Sequence, residues 1–310
     1  MSMQVEKAKR SEHSIGLING FIAYIIWGAV ILYWPYLAPA KPLEILAHRI
    51  LWSLLFVAAI LIYQKRIVSL KVVMKNARQM KLLTVAAVLI GFNWGLFIWA
   101  SMNGHVLDSS LGYYITPLLN VALGVFFFKE KLRPMQWLAI GIAAFAVLFI
   151  TIALGVLPWV ALSLATSFAM YGYVKKLANV QSLESLMIET LILTPVAIAY
   201  LIWLQFNGGN TFLAYGLDHT LWMASAGVFT AIPLLAFGVA ITRLPLTTLG
   251  MLQYIGPTIQ FFVGVWLTQE AMPRERFVGF AITWVALVIL TFDALRNRRN
   301  VSKSFVPDPD

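Results

Sequence analysis

The sequence predicts an all-α integral membrane protein, with ten transmembrane helices arranged as two inverted repeats of five. Three observations predict it. The chain is 60% hydrophobic and only 12% charged, far from the roughly 45–50% apolar and 25% charged make-up of soluble domains. Its apolar residues come in continuous runs of about 20, the length that crosses a hydrocarbon core as a helix, whereas barrel strands would alternate. One signature also occurs twice: Pro117, Gly124 and Glu130 recur 140 residues later as Pro257, Gly264 and Glu270. Each copy follows a hydroxyl-rich tetrapeptide, Ser109-Ser110-Leu111-Gly112 in the first and Thr247-Thr248-Leu249-Gly250 in the second.

Residues 1–14 read as a basic tail. The first span, 15–37, exceeds the roughly 7–15 residues of a signal h-region, so Lys7, Lys9 and Arg10 flank an uncleaved helix. A short link through Pro39 leads to span two, 43–63, and a basic stretch leads on to span three, 82–102. Asn103 to Leu107 is so short a link that span four, 108–128, must run antiparallel to span three. Lys129, Lys131 and Arg133 separate it from span five, 134–153, which closes a first repeat over 15–153. The second repeat, 154–295, holds spans 156–174, 184–206, 219–242, 246–268 and 276–294, and residues 296–310 form a second tail.

Charge sets the orientation. With the N-terminus in the cytoplasm, inner segments carry 19 Lys and Arg and outer loops carry 3, Lys41, Arg274 and Arg276. Cationic loops resist translocation, so both termini are expected inside. The net charge of +10 therefore reports topology and contact with anionic lipid, not nucleic acid. Five spans per repeat is an odd number, so the second repeat sits upside down relative to the first, the arrangement that lets a carrier open to either side. There is no cysteine, which excludes disulfides and thiolate chemistry. The four histidines lie apart in sequence, and no nucleotide, metal or hydrolase motif is present, so no cofactor is expected.

Ionisable residues within a span are costly, about 2.5–3.5 kcal/mol at the centre, and are functional candidates by default. Arg49 and Glu189 qualify, and they too lie 140 residues apart. Arg49 is about 9 Å of helix from the outer edge and Glu189 about 8 Å from the inner one, which leaves roughly 13 Å of depth between them. That separation argues against a direct salt bridge. It suits a cavity with opposite charge near its two ends and a zwitterionic cargo; snorkelling by Arg49 and helix capping by Glu189 are the bland alternatives. His48, beside Arg49, is a candidate proton relay, and Glu189 a candidate coupling acid.

Asn93, Trp94, Tyr113, Tyr114, Asn120, Gln253 and Tyr254 fall mid-span, where polar tips need partners or water and so face the bundle interior. Trp27 and Tyr171 sit beside Gly28 and Gly172 in matching places. Such aromatics stack on planar or cationic ligands, and Trp27, Trp94, Tyr114, Tyr171 and Tyr254 are expected to converge on one site. Core packing is the alternative for each. Pro117, Pro195, Pro233 and Pro257 lie inside spans; each frees a carbonyl one turn earlier and marks a candidate hinge. Glu130 and Glu270, beside Lys131 and Arg274, read as locks at the membrane edge.

The strings Tyr24-Ile25-Ile26-Trp27-Gly28, His48-Arg49-Ile50-Leu51-Trp52-Ser53, Gly91-Phe92-Asn93-Trp94, Ser110 to Leu118, Ile188-Glu189-Thr190 and Gln253-Tyr254-Ile255-Gly256-Pro257-Thr258 carry a family resemblance. The chain resembles RarD-type permeases of the EamA family, in the drug/metabolite transporter superfamily, over nearly all of residues 16–295. That resemblance implies ten helices in inverted repeats, a bacterial plasma-membrane location and transport of small organic solutes such as amino-acid-like metabolites or drugs. The branch is commonly labelled with chloramphenicol sensitivity or resistance. The expected function is therefore secondary transport, efflux rather than uptake, with protons as the coupling ion if one is used. A passive channel or lipid scramblase is the competing reading. An intramembrane enzyme would need clustered acids or histidines that the sequence does not bring together.

Overall fold

A computed structural model of the chain describes residues 2–128, 132–244 and 252–303, and every regular element within them is helical. Helix α1 (Ser2–Ala29) tightens into a 3-10 segment, Val30–Leu37. There follow α2 (Pro42–Tyr63), α3 (Ile67–Lys75), α4 (Ala77–Met102), α5 (Val106–Phe128) and α6 (Pro134–Leu154). The second half holds α7 (Trp159–Ala178), α8 (Ser182–Phe206), α9 (Gly216–Arg243), α10 (Ile255–Phe262) and α11 (Arg274–Lys303). Among the described residues seven helices are long and apolar enough to cross a membrane. Three others, α5, α7 and α10 with the turn that continues it to Leu267, occupy the places of the expected fourth, sixth and ninth spans.

The structure departs from expectation at three places. Helix α1 begins at Ser2, inside the stretch read as a tail, because Gln4 to Arg10 contains strong helix formers and no Gly or Pro. The short α3 stands where the sequence suggested only a basic connection, and its Val68 and Val72 are exposed beside Lys71 and Lys75. Span nine is broken: Gln253 and Tyr254 form a turn before α10, and Val263–Leu267 continues as a widened π turn. Pro257 accounts for the break, since it has no N–H to return to the carbonyl of Gln253. Pro117, Pro195 and Pro233 lie inside helices that stay continuous.

Helix α2 packs against both α8 and α9, α1 against α9 and α10, α5 against α7 and α10, α4 against α7 and α8, and α6 along α11. Close approach needs glycine at two crossings. A Cβ on Gly227 would lie 2.3 Å from the backbone carbon of Trp52, and one on Gly112 2.6 Å from the carbonyl oxygen of Ala161. Small residues of this kind let helices meet backbone to backbone where no hydrophobic drive separates lipid from protein. They explain why the first tetrapeptide ends in Gly112.

Polar contacts gather at the two ends. At one end, which holds most of the basic residues, Arg66 Nη2 donates to Glu184 Oε2 at 2.8 Å, Arg133 Nε to Asp293 Oδ2 at 2.8 Å, and Arg243 Nε to Glu12 Oε2 at 2.8 Å. At the other, Glu44 Oε1 accepts from the backbone N–H and hydroxyl of Thr211, at 2.6 and 2.8 Å.

Candidate functional site

Helix α2 starts cleanly, with Pro42 at its first position and Glu44 in its first turn. One and a half turns on, it buries Arg49 to 6% exposure between the 3-10 segment Val30–Leu37, α4 and α9. The guanidinium Nε donates to Thr230 Oγ1 at 2.7 Å. That hydroxyl is oriented for the task, because its own hydrogen goes to the Ala226 carbonyl at 2.8 Å. Arg49 Cζ lies 4.5 Å from the ring centre of Trp94 and 5.9 Å from that of Trp34. Desolvated cation–π contacts of this kind contribute about 2 kcal/mol. No carboxylate pairs with Arg49 among the described residues. The side chain is buried, so it does not snorkel.

Below Arg49 runs a chain of aromatic rings. Trp34 meets Phe97 at 6.4 Å between centroids, Phe97 meets Tyr113 at 5.7 Å, Tyr113 meets Phe168 at 5.9 Å and Phe168 meets Tyr171 at 6.1 Å. Asn93 ties this column together: its Nδ2 donates to the Leu164 carbonyl and Ser167 Oγ at 3.0 and 2.9 Å, and its Oδ1 accepts from the Tyr113 hydroxyl at 3.2 Å. At the far end Tyr171 donates to Glu189 Oε2 at 3.0 Å. The other oxygen of Glu189 accepts from Lys175 Nζ at 2.7 Å and Ser185 Oγ at 2.6 Å. Glu189 is thus buried, ion-paired and fully hydrogen-bonded, and it does not cap a neighbouring helix.

Lys175 is the residue that sequence reasoning missed, because a lysine ending a helix reads as loop charge. Glu44 and Glu184 were missed as well. They share the spacing of Arg49 and Glu189, start α2 and α8 respectively, and are each 1% exposed. Repeat spacing was the signal that could have found them; their position at span edges hid it. His48 is buried and stacks on Phe212 at 4.5 Å, and neither ring nitrogen has a hydrogen-bond partner. Phe212 follows Thr211, so one short segment covers both Glu44 and His48.

The five aromatics expected to converge do not form one group. Trp94 and Tyr171 belong to the column around Arg49 and Glu189. Tyr114 and Tyr254 face each other at 6.5 Å beside Trp284, and the Tyr114 hydroxyl bonds Thr258 Oγ1 at 2.7 Å. Trp27 packs with Tyr24 and Phe237, at 5.5 and 5.7 Å. Among the described residues no ring contact joins the three groups. Gln253 and Tyr254 lie in the turn before α10 rather than mid-helix, and Asn120 is exposed instead of facing the interior.

Glu270 does lock an edge, but not through Arg274. Its two oxygens accept the backbone N–H groups of Val106 and Leu107, at 2.5 and 2.9 Å, and so cap the start of α5. Arg276 instead reaches Asp108 at 3.1 Å. The counterpart Glu130, with Lys129, Lys131 and the Thr247-Thr248 pair, lies outside the described residues.

A profile of the EamA-like transporter family matches residues 14–152. The chain is 48% identical to "Protein RarD" of Streptomyces exfoliatus over 289 residues, covering 93% of this chain and 92% of that one. It is 41% identical to an "Uncharacterized transporter" of Vibrio cholerae over 281 residues, covering 91% and 93% of the two chains. A solved crystal structure superposes with a TM-score of 0.60 at 16% identity, over 89% of this chain and 97% of that chain, a likeness of fold alone.

Proposed function

Because the chain belongs to the EamA-like transporter family as a RarD-type permease, we propose that it is a secondary carrier of small organic solutes working by alternating access between two inverted halves, residues 15–153 and 154–295. The packing pattern supports this reading. Match α1 with α7, α2 with α8, α4 with α9, α5 with α10 and α6 with α11, as the repeat spacing requires. Then α1 on α9 corresponds to α7 on α4, α5 on α7 to α10 on α1, and α2 on α9 to α8 on α4. The contacts of α2 with α8, α5 with α10 and α6 with α11 map onto themselves. A pattern that survives exchange of the halves is what two interconvertible states require.

The observation that carries the proposal is the buried Arg49 with its column of rings. A charge kept inside a membrane bundle at such cost marks a solute path. Glu44 with Thr211, and Glu184 with Arg66, close the two ends of α2 and α8 and would open in turn. The 19-to-3 distribution of Lys and Arg supports cytoplasmic termini in a bacterial plasma membrane. If protons are coupled, His48, buried without a partner, is a better carrier than Glu189, whose oxygens are occupied. The relatives' transporter names support a non-enzymatic role. In proteoliposomes loaded with labelled amino acids, aromatic acids and antibiotics in turn, the carrier reading requires saturable flux accelerated by solute on the opposite side. Linear flux without such acceleration would sink it in favour of a pore.

A further inference from the structure

Two buried charges of the described bundle, Glu44 and Arg49, have no ionic partner. Glu184, Glu189 and Asp293 each meet a cation, Arg66, Lys175 and Arg133. Glu44 is held by Thr211. Its second oxygen has no partner, so Glu44 too is without a cation. Arg49 is the one buried cation without an acid among the described residues, and a guanidinium without a counter-anion in an apolar surround is costly. Its Nε is committed to Thr230, which fixes the plane of the group. The two terminal nitrogens make no hydrogen bond to protein among the described residues. Trp34, whose ring lies 5.9 Å from Arg49 Cζ, is itself 2% exposed, and its indole N–H also has no partner. The unsatisfied groups at the fork itself, the two terminal nitrogens of Arg49 and the Trp34 indole N–H, are donors.

Resting on the carrier reading, we propose that the cargo is an organic anion: a single carboxylate seated on the Arg49 fork, attached to a flat apolar body lying along Trp94, Phe97 and Tyr113. A planar guanidinium presents two parallel N–H bonds that match a carboxylate and not an alcohol or amide. The rings supply faces for an aromatic or otherwise flat body. The same geometry speaks against a zwitterion. An ammonium group needs an acid. Glu189, at the other end of the column, is already neutralised by Lys175, and Glu44, which lacks a cation, sits under Thr211 about 140° round α2 from Arg49. Asn93 is likewise bonded on both sides, to Leu164, Ser167 and Tyr113. The opposite-charge cavity that the sequence suggested thus becomes a one-sided, cationic one.

The test compares three ligands of one shape on the purified full-length protein in detergent: 3-phenylpropanoate, 3-phenylpropanamide and phenylalanine. Titration calorimetry and thermal shift should show the acid binding at least about tenfold more tightly than the amide or the amino acid, the effect of one charge-assisted bidentate contact. Arg49→Lys keeps the charge without the fork and should weaken the acid about tenfold; Arg49→Gln should remove the preference for acid over amide. Phenylacetate and indole-3-acetate vary the body. Equal binding of acid and amide, tighter binding of phenylalanine, or no binding by any of the three acids overturns the proposal. The wild-type comparison decides even if the Arg49 variants do not fold. Failure of the carrier reading is seen separately: an acid that binds yet gives no saturable flux in proteoliposomes leaves the anion site standing and removes transport.

Discussion

Helix α2 opens with Glu44 and buries Arg49 five residues later; helix α8 opens with Glu184 and buries Glu189 at the same interval. The two helices pack on each other and carry their charged residues 140 positions apart, yet they handle charge differently. In α8 both acids meet cations, Arg66 and Lys175. In α2 neither residue has an ionic partner among the described residues, and hydroxyls, backbone N–H groups and indole faces take that place. A buried pair costs desolvation and returns most of it in mutual attraction, so it can serve as scaffold; a buried lone charge returns little until something else arrives. On the proposed carrier reading, α8 serves as scaffold and α2 carries the ligand-facing chemistry.

The largest effect that would break this comparison is expected at Lys175. Lys175→Met strands Glu189, 1% exposed by side chain, as an uncompensated buried acid and should destabilise the protein by about 3 kcal/mol. Adding Glu189→Gln should restore most of the loss. Arg49→Met removes a charge that has no counter-charge to strand, so the ligand-free protein should unfold at the same temperature or higher while transport stops, the usual exchange of stability for function. Thermal unfolding in detergent reads both. Equal losses for Lys175→Met and Arg49→Met would mean that Arg49 is scaffold too.

Much of this architecture was legible in the sequence. Most of the apolar runs gave helices at the expected places, seven of them long and apolar enough to cross a membrane among the described residues, since membrane spans must satisfy their backbone internally and leave few alternatives. The 140-residue spacing singled out Arg49 and Glu189, and both side chains are buried. The partners were not legible, because pairing across the bundle depends on helical phase and tilt. Lys175 lies within a turn of the basic end yet folds its ammonium back to Glu189, as long cationic side chains can. Thr211 and Phe212 cover Glu44 and His48 from a link that reads as featureless. The break at Gln253 was partly legible, because Pro257 was recognised as a hinge without the consequence that the helix would start afresh there.

A second contrast concerns the first turns. Glu184→Ala gives up a charge-assisted bond to Arg66, whose side chain is 28% exposed and can turn to water, so the loss should be about 1 kcal/mol or less. Glu44→Ala leaves the N–H and hydroxyl of Thr211, 7% exposed, without their acceptor. Two stranded groups should cost about 2 kcal/mol. Hydrogen exchange should also quicken at Thr211 and Phe212 in that variant and stay unchanged there in Glu184→Ala. The opposite ranking would show that the ion pair in α8, rather than the hydroxyl network on α2, is the firmer closure.

The smallest effect lies at the same end as Glu44, in the cap that Glu270 makes on α5. Burial raises the Glu270 pKa above its ordinary value; the N–H groups of Leu107 and Val106 and the charge of Arg276 pull it back, and Asp108 pushes it up. A raised value means that the native state holds the proton more firmly than the unfolded chain. This contribution is therefore complete below the ordinary glutamate value, roughly 4.3, and is lost as pH climbs through the raised native value. Glu270→Gln cannot titrate and keeps one acceptor for the two N–H groups, so at neutral pH it should cost about 1 kcal/mol at most. The difference in melting temperature between wild type and variant should be widest in acid and shrink to a plateau as pH rises. His105, Asp108 and Arg276 stay in both proteins, so their own titration largely cancels. A difference that widened with pH would mean that the bonds to Val106 and Leu107 outweigh burial, and that this cap is held by charge in the way α8 is.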